Sequence, residues 1–114
     1  MGYQLYNHFG YGSVLVLSPM SEKYEEINND PETYKLGLTP LLIGCEYTGK
    51  DIGVALVITE SLYSWDDNNH LFLQKIPIPS MDEQISWNYL LADFCQKHQI
   101  DFEPPSWAIL NWGG

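Results

Sequence analysis

Apolar residues spaced three and four apart mark one segment of this chain more clearly than any other. Trp87, Leu90, Leu91, Phe94 and Cys95 fall on one side of a helix predicted over residues 81–98. Its start is written in Ser80-Met81-Asp82-Glu83, a capping box: the serine accepts from the first turn and the glutamate reaches back. Elsewhere the period is two. Leu41, Ile43, Cys45 and Tyr47 alternate with other residues, Thr48-Gly49-Lys50-Asp51 supplies a turn, and residues 52–58 return as an apolar, β-branched run. The chain continues through residues 61–65, reverses at Asp66-Asp67-Asn68-Asn69 and comes back over residues 71–76. Pro77 and Pro79 end that strand, because proline donates no bond to a ladder.

The two ends follow the same logic. Residues 11–17 read as a strand after a turn at Gly10-Tyr11-Gly12. Ser18-Pro19 then opens a short helix over residues 19–28, serine being a good cap and proline fitting the first helical position. Its apolar stripe is narrow: Met20, Tyr24 and Ile27. Asn28-Asn29-Asp30 breaks it, and Asp30-Pro31 caps a second short turn through Tyr34. After Pro104-Pro105, residues 106–112 form a last apolar strand. The predicted class is α+β: an antiparallel β meander packed with one long helix in the C-terminal half and one short N-terminal helix, in one domain over residues 1–114.

Charge changes the picture. Of 114 residues, 15 are Asp or Glu and 5 are Lys, with no Arg, for a formal net charge of −10. Without the planar guanidinium fork the chain is poorly equipped for phosphates and acidic substrates, so nucleic acid is not an expected partner. What this charge attracts is positive, a divalent cation or a basic protein surface. A content of 45% hydrophobic and 14% aromatic residues sets the chain apart from disordered acidic tails. The longest apolar runs, residues 14–17 and 54–58, are too short to cross a bilayer, and an anionic membrane would repel so acidic a surface. No secretory signal opens the sequence, and Cys45 and Cys95 belong to no CxxC. The expectation is a cytoplasmic protein with two buried thiols.

Three acidic clusters are the candidate chemistry. Glu22, Glu25, Glu26, Asp30 and Glu32 have only Lys23 as a local base. On a helix the first three share a face and repel, by a few tenths of a kcal/mol per pair, roughly. A solvated face tolerates that, and a hard cation would relieve it with oxygens from the adjoining loop. Asp66, Asp67 and Asn68, with Asn69, sit at a predicted hairpin tip, where turn formation explains the asparagines better than the paired aspartates. Asp82 and Glu83 are accounted for by the helix dipole and the capping box, with Asp101 and Glu103 further on. Candidate Ca²⁺ ligands are therefore Glu25, Glu26, Asp30, Glu32, Asp66, Asp67 and Asn68. No segment has the alternating acids, Gly and terminal Glu of an EF-hand loop, so a site would be assembled from several segments. Catalysis is not expected: His8, His70 and His98 lie in unrelated contexts, and phosphate-binding and nucleophile motifs are missing.

A small, strongly acidic α+β chain with the clusters Glu22–Glu32 and Asp66–Asn69 and no EF-hand resembles the small cytosolic calcium-binding proteins of heterocyst-forming cyanobacteria, the CcbP-like family. That resemblance implies a calcium-sequestering buffer without catalytic activity. A second reading is an acidic inhibitor or immunity-type protein that covers a basic partner surface, including as a mimic of nucleic acid. Four tryptophans and eight tyrosines bear on it, because aromatics exposed beside acids make a protein-binding patch.

Overall fold

The computed structural model describes residues 5–45, 50–65 and 78–113. Within them the chain runs β1 (Leu5–Leu15), α1 (Glu22–Asn29), α2 (Pro31–Lys35), β2 (Leu38–Cys45), β3 (Lys50–Ile58), a 3₁₀ turn (Thr59–Ser61), β4 (Tyr63–Trp65), α3 (Met81–Lys97) and β5 (Ser106–Gly113). The class is α+β as the sequence predicts. The return strand at residues 71–76, the reversal at Asp66–Asn69, Tyr47 and the first half of the Thr48–Asp51 turn lie outside the described residues.

Strand β1 is the spine. One edge pairs antiparallel with β5 along Leu5–Gly12. The other pairs first with β4 (Asn7–Phe9) and then with β3 (Gly12–Leu15), both antiparallel. Strands β3 and β4 thus run one after the other in the same direction along β1, with the 3₁₀ turn absorbing the break. Strands β2 and β3 pair antiparallel as a hairpin. Its far strand meets β5 in a short parallel pairing, Gly44 opposite Trp112 and Cys45 opposite Gly113. The order β3-β2-β5-β1-β4, with β3 also on β1, therefore curls into a small barrel. The closing corner carries a register shift between Ile43 and Cys45, where Gly44 takes φ 108°, open to glycine alone at low cost.

Two expected boundaries move for physical reasons. Gly10-Tyr11-Gly12 is not a turn but the middle of an eleven-residue strand. Gly12 pairs with both Val57 and Ser106, and the backbone of β1 presses so closely on β3 there that no Cβ fits. Helix α1 begins at Glu22, capped by Ser21, whose Oγ accepts from the Tyr24 N–H at 3.2 Å. Ser18 instead shapes the turn before it, accepting from the Met20 N–H. Met20 is left exposed, so only Tyr24 and Ile27 of the expected stripe pack inward.

The continuous apolar run of β3 is buried on both faces, and the pleat sorts it into two groups. Val54, Leu56 and Ile58 join Tyr11, Leu15, Ile27 and Leu38 beneath the helices, where α3 contributes Trp87, Leu91, Phe94 and Cys95. Ala55 and Val57 face the other way, with Leu110, and Leu41, Ile43, Leu62 and Ala108 packed around them. Leu91 is wholly buried, and burial of such a side chain contributes about 1.5–3 kcal/mol.

The start signals of α2 and α3 are realised as written. Asp30 caps α2 through its Oδ1, which accepts from the Glu32 N–H at 2.9 Å. The capping box of α3 is complete: Ser80 Oγ accepts from the Glu83 N–H at 3.1 Å, and Glu83 Oε1 accepts from the Ser80 N–H at 3.3 Å. Ser80→Ala is expected to cost about 1 kcal/mol of stability, read as a lowered urea midpoint at unchanged slope. An unchanged midpoint would mean that α3 is held by packing alone.

Candidate functional site

Glu22, Glu25 and Glu26 fall three and four residues apart on α1 and share a solvated face. Glu25 and Glu26 are exposed, and Glu26 Oε2 lies 3.3 Å from Lys23 Nζ in a solvated pair of small energetic worth. Asp30 is committed to its cap, and the Asn28 carbonyl and side-chain oxygen accept the Tyr34 hydroxyl. Glu32 is exposed in the first turn of α2. Among the described residues no group of three or more His, Cys, Asp or Glu is placed to hold a metal. Asp66, Asp67 and Asn68 lie outside the described residues.

His8, His98 and Cys95 have structural surroundings, and His70 lies outside the described residues. His8 Nδ1 is 2.7 Å from Ser64 Oγ, and burial holds its pKa below the usual 6.5. His98 caps α3 at its C-terminus and packs on Phe94, ring centroids 4.4 Å apart. Cys95 is fully buried and free, and desolvation pushes its thiol up to about 11. The sign is fixed. The folded state keeps its proton to higher pH than the unfolded chain, so this stability is complete below the ordinary thiol value of 9.0 and is lost between there and about 11. In a Cys45→Ser background, Cys95 is expected to resist a thiol reagent in the native state and to react on unfolding in urea; prompt native labelling would contradict its burial.

What the fold builds on its surface is apolar. Along α3 a second stripe runs beside the buried one. Met81, Ile85 and Tyr89 are 81%, 45% and 67% exposed. At about 100° per residue these three, with Ala92, lie within about 80° of one another. Asp82 and Asp93 come next round the helix, at about 100° and 120° from Met81, and both are exposed. On the other side the segment after α3 returns with Phe102 and Pro105. Ile85, Asn88, Tyr89, Ala92, Phe102 and Pro105 line an open groove of about 390 Å³. Exposed Glu103 sits in its far wall segment, between two of those lining residues in sequence.

A rigid base supports this groove. Asn88 Oδ1 accepts from the Tyr11 hydroxyl at 2.6 Å, tying the helix to β1. One residue back, Trp87 donates from Nε1 to Glu60 Oε1 at 2.8 Å. Tyr11, Trp87 and Trp107 pack as a cluster with centroids 5.5–6.2 Å apart, and Phe9 stacks on Trp107 at 5.4 Å. The anchor of Phe102 is an isolated bridge to Leu15, flanked by the bonds from the Val16 N–H to the Asp101 carbonyl and from the Glu103 N–H to the Val14 carbonyl. Both walls are thus fixed to the barrel.

Sequence reasoning missed this stripe although its signal was present. Met81, Ile85 and Tyr89 recur every fourth residue, as the core positions do. Inside the curl of the sheet lies a cavity of about 40 Å³ lined by Ala55, Val57, Ala108 and Leu110, room for a few waters and no organic ligand. Among the described residues no helix is long and apolar enough to cross a membrane. Comparison with protein-family models, curated proteins and solved structures gave no match.

Proposed function

We propose that this chain is an acidic binding domain that covers the basic surface of a protein partner, acting as an inhibitor or immunity-type protein with no catalytic step of its own. The observation that carries this is the uncompensated surface. Glu22, Glu25, Glu26, Glu32, Glu60, Asp82, Glu83, Asp93, Asp101 and Glu103 are all exposed and Asp30 is half-buried, and Lys23–Glu26 is the one ion pair among the described residues. Such a surface speeds encounter with a cationic partner and rejects anionic ones. The calcium reading draws no assembled ligand group from the described residues, and its remaining support is the run Asp66, Asp67 and Asn68 in the sequence.

Two titrations test the proposal. Oligolysine is expected to bind with an affinity that falls steeply as NaCl rises through the physiological range, because exposed charges are screened over about 8 Å there. Calorimetric titration of the metal-free protein with Ca²⁺, against Mg²⁺ at matched ionic strength, is expected to show screening only. Salt-independent or missing oligolysine binding contradicts the proposal. Saturable micromolar Ca²⁺ binding that is lost in an Asp66→Asn, Asp67→Asn double variant moves the assignment to a calcium buffer.

A further inference from the structure

We infer that the groove between α3 and the segment 102–105 is the docking site for an amphipathic helical segment of the partner, apolar on one face and flanked by lysine or arginine. The inference rests on the proposed function and adds the place and the chemistry of the contact.

Three observations lead to it. The first is shape. The groove is open, runs along a helix and is walled by side chains at positions 85, 88, 89 and 92, the spacing that receives anchors of a helix laid into it. The second is chemistry. Its floor is apolar with an aromatic edge at Tyr89, and Asn88, having given its carbonyl to Tyr11, leaves its amide N–H groups without a partner among the described residues. An aromatic and a few oriented polar groups at the centre of an apolar patch are the usual makings of a binding hot spot.

The third is charge, which selects the occupant. Asp82 and Asp93 flank the stripe on the helix, and Glu103 stands on the opposite wall. The five lysines are at positions 23, 35, 50, 75 and 97; Lys97 closes α3, and none of them lines the groove. A second copy of this chain would set carboxylates against carboxylates and add a second net charge of −10. Like-charge juxtaposition of this kind works against self-association. A segment with basic residues either side of Leu-like anchors meets attraction at the rim and burial at the centre.

The test compares labelled synthetic peptides by fluorescence anisotropy. One is an amphipathic Leu/Lys helix, one has the same composition scrambled to remove the apolar face, and one is a Leu/Glu analogue. Against the wild-type chain the Leu/Lys helix is expected to bind at least tenfold more tightly than the scrambled peptide, and the Leu/Glu helix to show no binding. The double variant Ile85→Gln, Tyr89→Gln replaces exposed side chains by a good helix former, so its fold is expected to survive, checked by an unchanged melting temperature. It should erase the preference for the Leu/Lys helix while leaving the scrambled peptide's charge-driven binding in place. The pair Asp82→Asn, Asp93→Asn should weaken the Leu/Lys helix severalfold and flatten its salt dependence.

Equal binding of the Leu/Lys and scrambled peptides by the wild type overturns the groove inference and leaves the acidic-domain reading standing. Failure of every cationic peptide to bind overturns both. A dimer in solution that the Ile85→Gln, Tyr89→Gln variant dissociates also overturns the inference, because a second copy would then be the occupant.

Discussion

Gly12→Ala is expected to lower the stability of this fold by about 3 kcal/mol or more, the upper end of what overpacking costs. A Cβ at residue 12 would stand 2.2 Å from the Leu56 carbonyl oxygen and 2.8 Å from the Val57 Cα. Both obstacles are backbone, so no rotamer change relieves the clash and β1 must part from β3. That parting would open the junction where β1 passes from β5 to β3, between core groups on both faces of the sheet. Gly53→Ala is the control. Its Cβ would meet Ile43 carbons at 3.5 Å, ordinary contact, and its stability should stay within about 1 kcal/mol of wild type. Urea unfolding of the two variants reads the difference directly, and equal midpoints would contradict the close approach of the two strands.

Trp87→Ala is expected to cost about 3–5 kcal/mol, the range for removing a large aromatic from a core. Against a total stability of about 5–15 kcal/mol for native domains, that is a substantial share. The indole is 8% exposed and lies against Tyr11 and Trp107, at centroid distances of 5.7 and 6.2 Å. It also gives α3 its hydrogen bond to Glu60. Trp87→Phe separates the two contributions. It keeps most of the apolar packing and loses the bond, at a cost of about 1 kcal/mol, since exposed Glu60 is readily rehydrated. If Trp87→Phe proves as damaging as Trp87→Ala, the bond and the shape of the indole matter more than the packed area.

Three features decided within a few residues were legible in the sequence. The Ser80–Glu83 box, the Asp30 cap before Pro31 and the buried face of α3 depend on contacts three or four residues apart, and all are found as written. Features decided by distant strands were not. Gly10 and Gly12 carry the same residue type whether they turn a chain or let two backbones meet, and only the presence of β3 separates these. For the acids of α1 and α2, nearness in sequence suggests a cluster, and what the structure adds is that Asp30 Oδ1 caps α2 while Glu25 and Glu26 stand in solvent.

Helix α3 shows the limit best. Two apolar stripes run along it, and periodicity alone assigns neither to the core. The barrel face takes Trp87, Leu91, Phe94 and Cys95, because Tyr11, Leu15 and Leu56 stand beneath that side. Met81, Ile85 and Tyr89 are then left in solvent beside carboxylates, and that remainder is the candidate site.

The most direct test of the central claim is an amide NMR titration of the wild-type chain with the amphipathic Leu/Lys helix. Saturable shifts are expected, concentrated at Ile85, Asn88, Tyr89, Ala92 and Phe102, with residues 22–32 moving little. Shifts centred on residues 22–32, or scattered in proportion to surface charge, would contradict that claim and return the acidic surface to a diffuse electrostatic role.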